Sequence, residues 1–519
     1  MKYMLLYRWV FAAIILTACN GTTDSSRQGN AKQPNILFIF SDDHTNNAIG
    51  AYGNALAKTP NIDRIAAEGA LFRNFFVTNS ICGPSRASLL TGKYSHANGF
   101  MSNEQRFNID QFVFSRLLQE TGYQTAWIGK WHLGTLPGDA FDYWNILPGQ
   151  GFYFNPDFIN NNNDTIRHEG YVTDIITQLA SGWLDQRDKD KPFFMVVGEK
   201  ATHREWLPDI QDLGTYDSVE FPLPETFYDD YRTRQAAANQ DMTIDETMRL
   251  DIDLKVNLDF EKTLIYSRMN ADQKAAYKTY YTDRVSKEFN DKQLSGKALT
   301  AWKFQRYMRD YLATANSLDR NIGRLLDYLK AHGLAENTIV IYGSDQGFYL
   351  GEHGWFDKRF IYEQSLRTPF VMRYPGVVAA GTSIDQFVLN IDLAPTLLEL
   401  AGAAVPKEIQ GQSFLPILRD GNTAGRDAVY YHYYEYPEPH RVMPHFGVRT
   451  KQYKLVRFYG EKNFWELFDL ENDPNELTNL YGSDKYEATI MELKEKLKEL
   501  ITQYEDTDAA RILAEETAR

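Results

Sequence analysis

The 519-residue sequence predicts an α/β fold: a large, mostly parallel sheet flanked by helices, followed by a smaller C-terminal subdomain of antiparallel strands. Three observations carry this expectation. Apolar runs of strand length end abruptly in polar residues, stretches with helical apolar spacing fall between them, and beyond about residue 420 closely spaced strand-like segments take over.

The first run, "PNILFIFSDDH", reads as a buried strand over 36–40 that stops at Ser41, Asp42, Asp43 and His44. "TPNIDRIAAEGALF" follows as a short helix. "NSICGPSRASLLTG" then places Cys82 between an apolar Ile81 and a Gly-Pro-Ser-Arg turn. "YQTAWIGKWHLG" reads as a strand running into a turn, and "KPFFMVVGEKATH" as a second apolar strand ending near His203. From 207 to about 300 the pattern loosens into charged and aromatic sequence, expected to be a partly helical excursion rimming the site. Over 314–329, Ala315, Leu318, Ile322, Leu325, Leu326 and Leu329 recur at helical spacing before "NTIVIYGSDQG" supplies another strand ending in an acid. Near residue 420, "RDGNTAGRD" is a break. After it "AVYYHYYEY", "FGVRTKQYKLVRFY" and "WELFDL" read as short antiparallel strands and 487–504 as a closing helix.

A chain of this length calls for one large domain and a smaller companion. The expected division is a signal peptide over 1–18, a tether over 19–32, a catalytic domain over 33–425 and a C-terminal subdomain over 426–519. With 69 acidic against 55 basic residues the net charge is -14, which offers no general attraction for nucleic acid. The N-terminus has cationic Lys2 and Arg8, an apolar run and small residues before Cys19, as a secretory signal does. Leu16-Thr17-Ala18-Cys19 also resembles a bacterial lipobox, implying cleavage before Cys19, lipidation of its sulfur and attachment to a membrane; a simple signal peptide is the alternative. The expectation is an exported bacterial lipoprotein, periplasmic or at the cell surface and anchored to the outer membrane. Only two cysteines occur in the chain. If Cys19 carries lipid, Cys82 has no disulfide partner and calls for another explanation.

Asp42 and Asp43 follow one strand, and Asp345 and Gln346 another, so a parallel sheet brings four oxygen donors to one edge, where open α/β sheets bind ligands. Carboxylates with an amide carbonyl are hard donors suited to Ca²⁺ or Mg²⁺. Each pair alone reads equally as a cap or turn. Positive groups accompany them: Arg86 near Cys82, Lys130 and His132 in "GKWHLG", His203 after its strand and Lys358 in "GWFDKRFIYE", each of which read singly is equally a solvated surface charge or a hydrogen-bonded core histidine. Together they form a site for a tetrahedral anion, in which cations neutralise oxyanion charge and a metal polarises an oxygen.

These residues resemble a family, the type I sulfatases of the alkaline phosphatase superfamily, whose C-x-P-x-R signature followed by small and apolar residues and T-G matches "CGPSRASLLTG". The resemblance covers nearly the whole chain after the tether. It implies that a sulfatase-maturating enzyme oxidises Cys82 to formylglycine, an aldehyde hydrated at rest. It further implies Asp42, Asp43, Asp345 and Gln346 as Ca²⁺ ligands, with Gln where many relatives have Asn or His. Lys130 and His132 match the K-x-H pair, Arg86 the arginine that steadies the hydrated aldehyde, and Lys358 the lysine that grips sulfate. His203 corresponds to the histidine that protonates the leaving alcohol, although this chain reads Thr202-His203 where the family often reads Pro-His. In the implied mechanism one hydroxyl of the hydrate attacks sulfur and the second, deprotonated with help from His132, expels sulfate.

"FDKRFIYEQSLRTPF" resembles the D-K-R-x-x-Y-E segment of glucosamine-6-sulfatases, so Asp357 and Arg359 are candidate sugar contacts, with a local surface ion pair as the alternative. In "YYHYYEYPEPHRVMPHFGVR", His432, His440 and His445 accompany many aromatics in an expected loop. His445 is the candidate substrate contact there, and packing is the alternative. The expected activity is exo-acting removal of 6-O-sulfate from N-acetylglucosamine or glucosamine in host glycans such as heparan sulfate, keratan sulfate or mucin fragments. The rivals are a sulfatase for another sugar position, a phosphonate or phosphodiester hydrolase of the same superfamily, and a non-catalytic glycan-binding lipoprotein.

Overall fold

The computed structural model describes residues 33–421 and 423–517; the signal segment, the tether up to residue 32 and Cys19 lie outside the described residues. Sixteen strands form among those described: β1 (Asn35–Ser41), β2 (Ala70–Phe72), β3 (Phe75–Phe76), β4 (Gln124–Lys130), β5 (Tyr143–Leu147), β6 (Asp157–Asn160), β7 (Thr165–Arg167), β8 (Phe193–Gly198), β9 (Thr338–Ser344), β10 (Phe370–Arg373), β11 (Thr382–Ile384), β12 (Val388–Leu389), β13 (Ala428–Tyr433), β14 (His445–Thr450), β15 (Tyr453–Phe458) and β16 (Phe464–Asp469). Ten of them make the main sheet, in the order β11-β2-β10-β9-β1-β8-β4-β5-β6-β7. The run from β9 to β5 is parallel. Antiparallel pairings with β10, β6 and β7 lie outside it, so the sheet is mixed, parallel at its centre.

Strand β1 is apolar on both faces because helices cover both. Leu37 and Ile39 join a core with side chains of the helices Pro60–Ala67, Val172–Gln186 and Gly296–Ala331. Ile36, Phe38 and Phe40 join the opposite core with the helices Cys82–Thr91, Phe114–Glu120 and Leu393–Leu400. The helix expected over 314–329 begins earlier, at Gly296, and is 36 residues long, about 54 Å. Its first half buries Lys303, bonded to backbone carbonyls, and the Arg306–Asp310 pair beside Phe304, Tyr307 and Tyr311, and those buried charges hide the apolar periodicity.

Register decides where the polar strand ends fall. Ser41 pairs with Ser344 across β1 and β9, Phe40 with Gly198 across β1 and β8, and Gly129 with Gly198 across β4 and β8. Four neighbouring strands therefore stop level with one another, and the residues that follow meet along one edge. At Gly129, with φ +101°, a Cβ would lie 2.0 Å from the Gly198 carbonyl oxygen, so only glycine lets β4 and β8 approach there.

Strands β13 to β16 form a separate antiparallel sheet, and the helix Glu487–Gln503 packs on it through Leu493, Leu497, Leu500 and Ile501. The same core takes in Tyr349, Trp355, Phe360, Ile361 and Tyr362. The loop that carries Lys358 is thereby clamped between the two sheets.

Candidate functional site

Immediately beyond the level strand ends, Asp42, Asp43 and Asp345 converge and are fully buried. The Asp43 amide donates to Asp345 Oδ1 at 3.2 Å, tying the two strand ends together. The turn after Asp42 needs the left-handed conformation of Asp43, φ 63°, which points successive carboxylates into one cluster. Thr202, at the place where the family often has proline, donates its amide to Asp42 O at 2.6 Å and its hydroxyl to Asp43 O at 3.1 Å. Tyr311, from the long helix, donates to Asp43 O at 2.6 Å. The aspartate turn is thus held from two further elements.

Cys82 opens a helix rather than a turn. The segment read as Gly-Pro-Ser-Arg is the first turn of Cys82–Thr91, where proline is tolerated because its missing amide has no helical acceptor, and Gly92 at φ 64° closes the helix. Every residue of that helix is buried, and its N-terminus, the positive end of its dipole, faces the carboxylates. Cys82 Sγ lies 3.2 Å from Asp42 Oδ1. Burial, and then Asp42, push the Cys82 thiol well above its ordinary range, so the nucleophilic thiolate is disfavoured.

Three cations and a histidine surround this centre. Arg86, one turn into the helix, donates through Nε and Nη2 to Asp345 Oδ2 at 3.0 and 2.9 Å and through Nη1 to Lys130 O at 3.0 Å. Lys130, the last residue of β4, is paired with Asp42. Lys358 Nζ lies 2.8 Å from Asp43. His203 donates Nδ1–H to Arg204 O at 2.5 Å, and a ring nitrogen, an Asp42 oxygen and Cys82 Sγ fall within 4.8 Å of one another. Burial pushes His203 and His132 well below the usual histidine range, so both are neutral at rest.

The donor set fits a hard divalent cation. Oxygens of Asp42, Asp43 and Asp345 lie with Cys82 Sγ within 4.8 Å, and Gln346 Oε1 is buried without a hydrogen-bond partner among the described residues. Burial raises Asp43 to about 6 although Lys358 opposes it, and burial together with Asp42 raises Asp345 to about 7. Burial acts the same way on Asp42, but the positive charges around it, Lys130 foremost, outweigh it and hold that carboxyl well below the ordinary range. Each of the three carboxylates has one protein cation, yet burial still raises Asp43 and Asp345, and a further positive charge suits those two.

Next to Lys358, Asp357 and Arg359 both adopt left-handed backbone, φ 77° and 97°, a conformation side-chain residues hold only where surroundings impose it. Arg359 donates to Asp357 Oδ1 at 3.0 Å, to Glu435 Oε2 at 2.6 Å and to Tyr433 Oη at 3.2 Å. Both are about 95% buried, which removes the reading of a surface ion pair. His440 Nε2 lies 3.5 Å from the other Asp357 oxygen. Asn103 links this group to the helix: it accepts from the Gly83 amide at 3.0 Å, and its own amide donates to Glu435 at 2.6 Å.

His445, the expected substrate contact, is corrected by the structure. It begins β14 instead of lying in a loop, and its ring is wholly buried against Tyr431, Tyr433, Phe360 and Phe458. Its Nε2 accepts from the Ile361 amide at 3.0 Å and its Nδ1 donates to Met443 O at 2.7 Å, so no ring atom is left for a ligand. His432 is also internal, held by Asp506 at 2.7 Å and Tyr459 at 2.8 Å. Two site groups lacked a sequence signal. Gln150, in the loop after β5, contacts Lys130 and His132, and Lys200 donates to the Gln150 carbonyl at 3.2 Å. Both line a pocket of ≈ 290 Å³ with Tyr153, His203, Arg204 and Leu264. The position of Lys200, three residues before His203 on the same strand exit, was the one available hint.

The sulfatase family profile matches residues 34–403, and the profile described as N-sulphoglucosamine sulphohydrolase, C-terminal, matches 351–503. Over 513 residues, 96% of this chain and 90% of the other, the sequence is 46% identical to an N-acetylglucosamine-6-O-sulfatase of Bacteroides thetaiotaomicron. A solved structure described as a complex with its substrate D-glucosamine-2-N,6-O-disulfate superposes with a TM-score of 0.89 at 47% identity, covering 92% of this chain and 99% of that one. The phosphonate monoester hydrolase of Agrobacterium radiobacter shares the fold, with a TM-score of 0.66 at 20% identity over 91% of this chain and 96% of its own.

Proposed function

The chain belongs to the sulfatase family, enzymes that hydrolyse sulfate esters, and from that premise we propose that it is an exo-acting hydrolase removing 6-O-sulfate from N-acetylglucosamine or N-sulfated glucosamine of host glycans. One observation carries the sugar assignment. Asp357 and Arg359, both buried and braced by Glu435 and Tyr433, flank the lysine that reaches the carboxylate centre, so hydroxyl recognition and sulfate recognition arise from three consecutive residues. The similarity to a relative named for this substrate supports the reading.

In the proposed reaction Cys82, after oxidation to formylglycine by a maturating enzyme, supplies the oxygen that attacks sulfur. Its thiol, protonated by its surroundings, suits a precursor better than a nucleophile. Asp42, Asp43, Asp345 and Gln346 would hold a divalent cation, Ca²⁺ by the donor set, which supplies Lewis-acid polarisation and charge neutralisation. Lys358 and Lys130 neutralise the sulfuryl oxygens as charge moves onto them. Arg86, fixed by three hydrogen bonds, keeps Asp345 and the Cys82 helix in register. His203 has Nδ1–H committed to Arg204 O, so Nε2 is the nitrogen that carries and releases a proton. A bound sulfate ester brings negative charge that opposes the burial and the cations lowering this histidine, and so favours its protonation before the alcohol leaves. Asp357, Arg359 and His440 contact the sugar. The N-terminal segment directs export and anchors the protein through lipid on Cys19, at the periplasmic or outer face of the outer membrane.

The deciding experiment offers the mature protein 6-sulfated N-acetylglucosamine, 6-sulfated galactose, 2-sulfated uronic acid oligosaccharides and an aryl phosphonate monoester, with released sulfate or phenol measured. Turnover of the first substrate at least tenfold above the others is expected. Preference for either other sugar overturns the sugar assignment alone. Peptide mass spectrometry across residue 82 reports the conversion, and metabolic labelling with palmitate, lost in Cys19→Ala, reports the anchor.

A further inference from the structure

The two connections that deliver Asp43 and Lys358 to the centre run on to line a separate cavity of ≈ 380 Å³, the first through Asn46 and the second through Glu363, Gln364 and Arg367. The turn between β14 and β15 adds Arg449 and Lys451, and Arg73 is a fourth cation. Glu363 is the one acid in the lining. In a chain of net charge -14, this excess of positive charge is a local feature.

Glu363 does not use these cations up. Arg449 donates Nε and Nη2 to it at 3.1 and 3.2 Å, Arg367 donates Nη2, and Lys454, which Glu476 also holds, lies 3.0 Å away. Three cations therefore share one carboxylate. Arg367 Nε is buried without a hydrogen-bond partner among the described residues, and Lys451 is exposed with no acid beside it among them. Arg73 bonds Ser383 at 2.9 Å and has only the exposed Asp385 at 3.9 Å, a weak pairing. Two amides complete the polar lining. Asn46 Oδ1 and Gln364 Oε1 are buried, and neither has a hydrogen-bond partner among the described residues. Tyr52 commits its hydroxyl to the backbone of Phe72 and Phe370, at 2.9 and 3.0 Å, which leaves its ring as part of the wall. Guanidinium groups with uncommitted N–H match the oxygens of a sulfate or carboxylate, and an amide offers the donor and acceptor that a hydroxyl needs. An aromatic ring supplies an apolar surface for a sugar face.

We propose that this cavity is a second saccharide site, which holds the sulfate or carboxylate of one sugar through Arg73, Arg367, Arg449 and Lys451 and its hydroxyls through Asn46 and Gln364. That the ligand is an anion rests on the cavity; that the anion belongs to a glycan rests on the sulfatase reading. The site binds and performs no chemistry, so its use is to retain an anionic polysaccharide on the enzyme. Arg449 and Lys451 also line a neighbouring cavity of ≈ 830 Å³, which contains Asp385 and Asp427. The charged group therefore belongs in the first cavity, and the second gives the chain room to continue.

The test is titration calorimetry of the full mature protein with an octasaccharide of alternating uronic acid and N-sulfated glucosamine that carries no 6-sulfate, so that the centre has no ester to take. It should bind at least about tenfold more tightly than a hexamer of N-acetylglucosamine or inorganic sulfate. The double variant Arg73→Glu, Lys451→Glu should weaken octasaccharide binding at least about tenfold and remove most of its salt dependence between about 0.05 and 0.3 M NaCl. Gln364→Ala should weaken it roughly threefold to tenfold. In all these proteins Tm should stay within about 2 °C, and kcat/KM for monomeric 6-sulfated N-acetylglucosamine within about twofold. Octasaccharide affinity unchanged in the double variant overturns the proposal. Inorganic sulfate bound as tightly as the octasaccharide also overturns it, by marking a site for a free anion. The binding measurement needs no turnover. A protein that binds the octasaccharide through Arg73 and Lys451 but releases sulfate from no ester overturns the functional reading and leaves the second site standing.

Discussion

Asp42 and Asp345 are placed by a seven-pair parallel register in the middle of the sheet, whereas Asp357 and Arg359 are placed by a loop whose backbone is left-handed at both residues. The first arrangement is regular structure aiming side chains through strand alignment alone. The second is irregular structure held by contacts from outside it: Glu435 and Tyr433 from the C-terminal sheet region, His440 from the following loop, and Asn103 from beyond the Cys82 helix. Under the proposed function, chemistry common to many substrates stands on rigid elements, and recognition of one sugar on a loop that the rest of the molecule keeps in shape. Substitutions in the two regions should consequently fail in different ways.

The largest effect is expected at the centre. Cys82→Ala should lower kcat at least about 1000-fold on every sulfate ester, glycan or aryl, because the residue proposed to supply the attacking oxygen is gone. Removal of metal by a strong chelator should likewise abolish turnover of all substrates, with Ca²⁺ restoring it and raising Tm of the stripped protein. Restoration by neither Ca²⁺ nor Mg²⁺ would break the assignment of the oxygen cluster. At the rim, Asp357→Ala should lower kcat/KM for 6-sulfated N-acetylglucosamine roughly 100-fold while changing that for a small aryl sulfate less than about fivefold. Equal losses on both would erase the distinction between the regions. Arg359→Lys should behave similarly, since an ammonium cannot reproduce the forked contacts to Asp357 and Glu435.

Smaller effects separate the two histidines. His440→Ala should cost about tenfold in kcat/KM for the sugar with little change in Tm. His445→Ala should leave kinetics of the folded protein intact and destabilise it by roughly 2–4 kcal/mol, through the cavity and the orphaned Ile361 amide. The smallest is a pH effect. Burial lowers His445 to about 3, so between pH 6.5 and 3 the unfolded chain binds a proton that the folded one refuses. Stability contributed at neutral pH is therefore lost on acidification, by about 2 kcal/mol at pH 5. Urea unfolding of His445→Gln, which retains an acceptor for Ile361, should show a shallower decline over that window.

Much of the centre was legible because each of its residues directly follows an apolar run. "ILFIFSDD", "TIVIYGSDQ" and "TAWIGKWH" announce both a buried strand and polar groups at its end, and parallel pairing does the rest. The unpaired Cys82 was legible for the opposite reason, as a residue with no structural use. The rim was legible only in part. "FDKRFIYE" marks Asp357 and Arg359, but the Tyr- and His-rich stretch does not say where loop ends and strand begins, so of His432, His440 and His445 the expected substrate contact fell on His445. One residue of register separates a side chain facing the core from one facing out, and aromatic neighbours favour both. Gln150 carried no signal at all: a lone amide in "PGQGF" acquires meaning only once β5 sets it beside Lys130 and His132.

The level ending of β9, β1, β8 and β4 also bears on how such a protein can change over generations. Insertion or loss of a single residue anywhere in β1 would rotate Asp42 out of the cluster and carry a different side chain toward Cys82, so that strand tolerates exchange of apolar residues but no change in length. The segment at 357–359 has no such ruler. On the proposed function, new sugars are reachable by rewriting it together with its buttresses at Glu435 and Asn103, while the strand-end cluster is inherited unchanged.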